Sequence, residues 1–247
     1  MITGPTAGIG RSFAQALAAR GHDLVLVSRD KQRLDELAEQ LRAEHRVNVE
    51  VLPADLADRS ALAVVEDRLG DTTRPVDLLV NNAGHGLRGR FLDNDVEAEQ
   101  GLLDVLVTAV LRLSHAAARA MVARGSGSII NVSSVAGLLH RGTYSAAKAY
   151  VTSLTRWLDL SYRQQGVRAM ALCPGFVRTE FHERMGVGRG SAPWWMWLDA
   201  DRLVRDALCD LERGRSLSIP SKRYKVLSAL ARGTPTAFQA RLQGLGR

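Results

Sequence analysis

The sequence predicts an α/β fold in a single domain, a doubly wound parallel sheet with helices on both faces. Three observations predict it. Short apolar runs alternate with longer amphipathic segments along the chain. Two of those runs, DLVLVSR at 23–29 and VDLLVNNAG at 76–84, are continuous instead of alternating, the pattern of strands covered on both faces. A glycine-rich stretch, Thr3–Gly10 (TGPTAGIG), joins an apolar start to the amphipathic segment RSFAQALAARG. No linker, repeat or low-complexity run divides the 247 residues.

The Thr3–Gly10 stretch reads as a pyrophosphate-binding turn. Gly4, Gly8 and Gly10 permit a tight turn and close backbone approach, and the first N–H groups of the following helix attract phosphate oxygens. Their spacing is GxxxGxG. Only Met1 and Ile2 precede Thr3, so the expectation is that the natural chain has further apolar residues upstream to complete the strand.

The second strand ends at Ser28 and Arg29. In a dinucleotide fold that end meets the adenosine ribose, where an acid binds the 2′-hydroxyl and an Arg accepts a 2′-phosphate. Arg29 without an acid favours NADP(H), with NAD(H) left open. Asp30 is expected to N-cap the next helix, DKQRLDELAEQLRAEH. VNVEVLPADL and SALAVVEDRLG continue the alternation, and Asp55, Asn81, Asn82 and Gly84 fall at strand ends, where ligands of such sheets gather.

From Val96 to Ala123 a helix carries Leu102, Leu103, Leu106, Val110 and Leu113 as a core-facing stripe. SGSIINVSSVAG follows as the fifth strand and its exit. The next helix begins TYSAAKAYV and holds Tyr144 and Lys148 one turn apart on one face. GVRAMALCPGFVRT is a strand ending at Pro174 and Gly175; a Trp-rich loop, the helix DADRLVRDALCDLERG, the strand SLSIP and a basic tail complete the order.

Composition narrows the function classes. Hydrophobic residues are 46% and charged ones 24%, ordinary for a globular protein, and no uninterrupted apolar run reaches the roughly 18 residues of a membrane span. Cys173 and Cys209 build no disulfide framework or metal pair, which fits a cytoplasmic location. The net charge of +7 belongs to the tail, where Arg213–Arg247 holds eight Lys/Arg and no acid. Lys222, Arg223, Lys225, Arg232 and Arg241 interleave with Leu227, Leu230, Phe238 and Leu242, a solvated helix or a peripheral contact with anionic lipid. No nucleic-acid motif accompanies the basicity.

Five motifs stand in one order at strand ends: TGxxxGIG, the D-L at Asp55 and Leu56, NNAG, Ser133–Ser134 ahead of a YxxxK at Tyr144–Lys148, and PGxVxT ending at Thr179. Together they resemble the short-chain dehydrogenase/reductase family over nearly the whole chain up to about Glu180. The resemblance implies a Rossmann-type fold and nicotinamide-dependent redox chemistry on alcohols and carbonyls. It makes Tyr144 the general acid/base, Lys148 the residue that favours its phenolate and holds the nicotinamide ribose, and Ser134, ahead of Ser133, the group that orients the substrate oxygen. Lowering a Tyr from about 10 to about 7 takes roughly 4 kcal/mol, which a cation at ~4 Å supplies at an effective dielectric near 20.

The same resemblance places cofactor contacts at Thr3, Gly4, Thr6, Gly8, Ile9, Gly10, Ser28, Arg29, Asp55, Leu56, Asn82, Ala83, Gly84, Tyr144, Lys148, Pro174, Gly175, Val177 and Thr179, with Asn81 in the wall of the adenosine site and no metal. Two features depart from the family's pattern. Tyr144 follows Ser134 by ten positions, fewer than is usual, and Leu106 stands in DVLVTA where many members have an Asn that holds a proton-relaying water. Those departures motivate a rival reading, an NADP(H)-binding regulatory or scaffolding protein with little turnover. Residues 180–200 match the substrate lid; Phe181, Met185, Trp194, Trp195, Met196 and Trp197 suit an apolar lipid-, steroid- or aromatic-like carbonyl or alcohol, or a subunit contact. Gly186, Gly188 and Gly190 would make that lid mobile, His85 and His182 receive no role, and the resemblance implies a homodimer or homotetramer through the Val96 and Tyr144 helices.

Overall fold

The computed structural model describes residues 1–179 and 193–232. Seven parallel strands form one sheet: β1 (Ile2–Thr3), β2 (Leu24–Ser28), β3 (Val49–Pro53), β4 (Leu78–Asn81), β5 (Gly127–Val132), β6 (Val167–Leu172) and β7 (Leu217–Ser218). Their order is β3-β2-β1-β4-β5-β6-β7. The order reverses between β1 and β4, and there the crossovers on opposite faces leave a crevice at the strands' C-terminal ends.

The continuous apolar strands are explained by two cores, one per face. Along β2, Leu24 and Leu26 join the first core and Val25 and Val27 the second; Val80 and Leu79 on β4, and Ile130 and Ile129 on β5, divide likewise. Strand period two therefore sends every apolar side chain into one layer or the other. The first core is closed by α1 (Gly8–Ala18), α2 (Lys31–His45) and α7 (Ala200–Glu212), through Phe13, Leu34, Leu37, Leu203 and Leu208. The second is closed by α3 (Arg59–Gly70), α5 (Val110–Arg124) and α6 (Gly142–Tyr162), through Leu62, Leu113, Met121 and Leu158. Each such side chain, fully buried, contributes about 1.5–3 kcal/mol.

The expected long helix is present but not uniform. α4 (Val96–Leu103) runs into a wide π turn, Asp104–Ala109, before α5 resumes the ordinary helix. That turn is the DVLVTA stretch, and Leu106 within it is fully buried. By length and composition Val96–Arg124 is apolar enough to cross a membrane. Its apolar stripe, Leu102, Leu106, Leu113 and Met121, instead packs inside the protein. α8 (Lys222–Arg232) ends the described chain. Phe181, His182, Met185, Gly186, Gly188, Gly190, Phe238, Arg241 and Leu242 lie outside the described residues.

Candidate active site

Three strand ends converge on the glycine turn. A Cβ on Gly4 (φ +64) would lie 3.0 Å from the Ala83 Cα, one on Gly10 would lie 2.1 Å from the Gly4 carbonyl oxygen, and one on Gly8 (φ +53) would lie 2.9 Å from the Thr179 methyl. β1, β4 and the segment after β6 thus meet around backbone that admits no side chain. The N-cap of α1 is Ala7, which offers no side-chain cap, whereas Asp30, Asp58 and Asp95 cap α2, α3 and α4. The first N–H groups of α1 are accordingly left for an anion, as a pyrophosphate requires.

The turn is braced from behind by side chains of the residues read as cofactor contacts. Thr3 Oγ1 accepts from the backbone N–H of Asn82 and of Ala83, each at 3.0 Å, and Asn82 Nδ2 donates to the carbonyls of Thr3 and Gly4, also at 3.0 Å. These side chains shape the turn and are already engaged. Asn81 points the other way, donating to Asn131 Oδ1 at 2.8 Å and to Ser114 Oγ at 3.2 Å in the core. Leu56 and Val177 turn their side chains into the cores, so any cofactor contact of theirs would be made by the backbone. Ile9 leans on the first core as well.

At the adenosine end, Ser28 Oγ is buried without a partner among the described residues. A buried hydroxyl normally has one, so this orphan fits a ribose or phosphate oxygen. Arg29 lies beside it in the chain, largely exposed, with its guanidinium 3.7 Å from Asp55 Oδ2. Asp55 also accepts from the Ala57 N–H at 3.0 Å. Arg29, expected on a 2′-phosphate, and Asp55, expected on adenine, are therefore neighbours as well as candidates. Burial, and then the Arg29 charge, push the nearby His85 imidazole below its usual range. Asp30 caps α2 as expected, accepting from the Arg33 N–H at 3.0 Å.

The reactive cluster forms where β5 and β6 end against α6. Ser134 begins a short 3-10 turn (Val135–Leu138), accepts from the Ala136 N–H at 3.0 Å and is hydrogen-bonded to Tyr144. Lys148 is 5% exposed, its Nζ donating to the Val132 carbonyl at 2.7 Å and lying 5.7 Å from the Tyr144 ring centroid. Ser133 is excluded as the substrate-orienting residue by its contacts. Its hydroxyl donates to the Lys148 carbonyl at 2.7 Å and meets Thr152 Oγ1 at 2.7 Å, fastening α6 to the end of β5 at the lysine's own turn.

Burial acts on both titratable groups of the cluster. Burial pushes the Tyr144 phenol up to about 12, with the Ser134 hydrogen bond pulling the other way, and burial also lowers the Lys148 ammonium to about 8. Lys148 Nζ stands 5.7 Å from the ring centroid with the Val132 carbonyl as its acceptor. The low-polarity surroundings win because they penalise both charged forms at once. Tyr144 packs against a small core cluster of Leu102, Leu106 and Ala147, as do Leu87, Leu103 and Val107.

Beyond β6 the chain forms a stem: the Leu198 N–H donates to the Phe176 carbonyl at 2.8 Å and the Arg178 N–H to the Leu198 carbonyl at 3.0 Å. Trwo aromatic faces close it, Phe176 against Trp197 with centroids 5.5 Å apart, while Trp194 and Trp195 are exposed. Tyr224, read in the sequence only as part of a basic tail, is buried against this stem. The signal available was Tyr224 and Ser228, four apart and both inward on α8.

A glycine turn under a helix N-terminus, with Ser, Tyr and Lys gathered beside it at the ends of a parallel sheet, defines a nicotinamide-dependent oxidoreductase site. The short chain dehydrogenase family profile matches residues 1–188, and the chain belongs to the short-chain dehydrogenase/reductase family. It is 37% identical over 186 residues to sulfoacetaldehyde reductase 2 of Chromohalobacter salexigens, covering 73% of each chain. Among solved structures, a short-chain dehydrogenase from Sphingobium yanoikuyae in complex with NADPH superposes with a TM-score of 0.86 at 38% identity, over 94% of this chain and 92% of that one. A bulky-bulky ketone specific alcohol dehydrogenase from Comamonas testosteroni does so at 0.81 and 35% identity, over 94% and 91%.

Proposed function

We propose that the protein is an NADP(H)-preferring oxidoreductase that reduces a ketone or aldehyde, or oxidises a secondary alcohol, on an apolar substrate, with Tyr144 as general acid/base. The observation that carries this reading is the convergence of Ser134, Tyr144 and Lys148 on one strand end beside the glycine turn. The bound nicotinamide supplies or accepts the hydride. Gly4, Gly8 and Gly10 with the start of α1 would hold its pyrophosphate, Ser28 and Arg29 the adenosine phosphoribose, and Lys148 the nicotinamide ribose. Ser134 and Tyr144 donate hydrogen bonds to the substrate oxygen and polarise its carbon, and Tyr144 passes or takes the proton at that oxygen.

Arg29 supports the cofactor preference, as does the NADPH bound by the Sphingobium yanoikuyae relative. The partly buried Leu87, Leu103 and Val107, packed on the same cluster as Tyr144, support an apolar substrate, in keeping with the bulky ketones of the Comamonas testosteroni enzyme. The test is NADPH oxidation across bulky ketones and aldehydes, beside Tyr144→Phe and a binding titration. Turnover lost in Tyr144→Phe supports the reading; NADPH binding without turnover on any of them favours a regulatory protein with little activity, the alternative that the buried Leu106 and the raised Tyr144 motivate.

The proposed assembly is a homodimer or homotetramer through α5 and α6, whose outer faces expose Leu111, Trp157 and Leu160, with Leu111 and Trp157 lining a hollow of about 310 Å³. Light scattering of Trp157→Glu tests it. A cytoplasmic location is proposed on the free Cys173 and Cys209, and peripheral contact with anionic lipid on the exposed Lys222, Lys225 and Val226 of α8.

A further inference from the structure

We infer that Tyr224 of the C-terminal helix α8 is a positioning residue for the active site, bolting the lid stem to the Pro174–Gly175 turn and, through that turn, setting Ser134. Its hydroxyl has two partners. It accepts from the Phe176 N–H at 3.0 Å and donates to the Met196 carbonyl at 2.9 Å, so it spans both sides of the stem. Its ring covers Gly175 so closely that a Cβ there would lie 1.9 Å from a ring carbon. Gly175 is thus required by space on this side, and the ring fits because it is glycine.

The turn that Tyr224 covers touches the reacting residues from its other side. The Pro174 carbonyl accepts from the Val135 N–H at 3.0 Å and has the Ser134 hydroxyl within 3.5 Å. Ser134 in turn bonds to Tyr144. A continuous chain of contacts therefore runs from α8 through Gly175 and Pro174 to the hydroxyl that orients the substrate oxygen. The neighbouring Arg223 adds a second tie, donating to the Trp195 carbonyl at 2.8 Å. The sequence around Tyr224 is basic and reads as a surface helix, yet one side chain makes that helix part of the catalytic unit.

Removing the hydroxyl alone separates positioning from packing. Tyr224→Phe keeps the ring against Gly175 and leaves the Phe176 N–H and the Met196 carbonyl without their partner. The first readout is amide hydrogen exchange, which needs no substrate. The expected result is exchange at Val135–Gly137 faster by about tenfold, matching one lost hydrogen bond, with β2 unchanged. The second readout, resting on the oxidoreductase reading, is a double-mutant cycle with Ser134→Ala on the kcat of a ketone that the wild type reduces. Tyr224→Phe should lower kcat by about tenfold in the wild-type background and by less than about twofold when Ser134 is already Ala. Equal losses in both backgrounds, or unchanged exchange at Val135–Gly137, would overturn the proposal. If the wild type reduces no carbonyl at all, the oxidoreductase reading fails, and the exchange experiment still decides the role of Tyr224. Should Tyr224→Phe not fold, Arg223→Ala, which loosens only the Trp195 side, carries the same exchange measurement.

Discussion

Replacing Lys148 by Met should stabilise the protein at neutral pH while abolishing turnover. Lys148 is 5% exposed, and burial lowers its ammonium from 10.5 to about 8. That shift corresponds to about 3 kcal/mol by which the folded state disfavours the charged form. The cost is fully present below pH 8, where both folded and unfolded chains carry the charge. It fades between about 8 and 10.5, where only the unfolded chain stays protonated, and is gone above. Methionine fills similar volume without a charge, but leaves the Val132 carbonyl without the 2.7 Å donor, a loss of about 1–2 kcal/mol. The net gain at pH 7 is then about 1–2 kcal/mol. Urea unfolding of both proteins at pH 7 and pH 9.5 measures it, and the advantage of Met should shrink by about 2 kcal/mol between them. An advantage that is independent of pH, or that grows as pH rises, would refute the claim that Lys148 is held against its desolvation.

Two further predictions bear on cofactor choice and proton movement. Arg29→Asp sets a second carboxylate beside Asp55, in place of a guanidinium 3.7 Å away. NADPH should weaken by about a hundredfold while NADH does not, and because Arg29 is exposed the melting temperature should hardly move; fluorescence titrations that show no change in preference would remove Arg29 from the 2′-phosphate site. Leu106→Asn is close in shape but puts an amide into the apolar cluster around Tyr144. It should lower the melting temperature by about 5–10 °C, leave the NADPH Kd unchanged and raise kcat at 20 °C; an unchanged or lower kcat would refute the proton-relay account of this position.

Much of this protein is legible in its sequence because periodicity and backbone chemistry are local. Continuous runs such as Leu24–Ser28 must be covered on both faces, and Gly4, Gly8 and Gly10 mark backbone that tolerates no side chain, so the layered fold and its phosphate turn follow without coordinates. The order of five short motifs at strand ends likewise pointed to Ser134, Tyr144 and Lys148, and the structure brings these three together.

The side-chain roles of the remaining residues were decided by tertiary structure. Nothing in NNAG tells that Asn82 braces Thr3 and Gly4 while Asn81 turns into the core toward Asn131, since direction depends on the packed neighbours. Ser133 and Ser134 are chemically alike and both follow β5; one fastens α6 and the other, at the start of the 3-10 turn, bonds to Tyr144, a division set by which neighbour each side chain meets. The desolvation that raises the Tyr144 phenol comes from the residues packed around it, which the Lys148 spacing does not report. Tyr224 lies 80 residues beyond Tyr144, and only the return of α8 onto the β6 exit makes it a neighbour of the site. Sequence by itself determined the elements and the chemistry they carry, because those depend on near neighbours in the chain; the structure alone decided which polar groups face the reaction and which hold it in place, because that depends on contacts between distant segments.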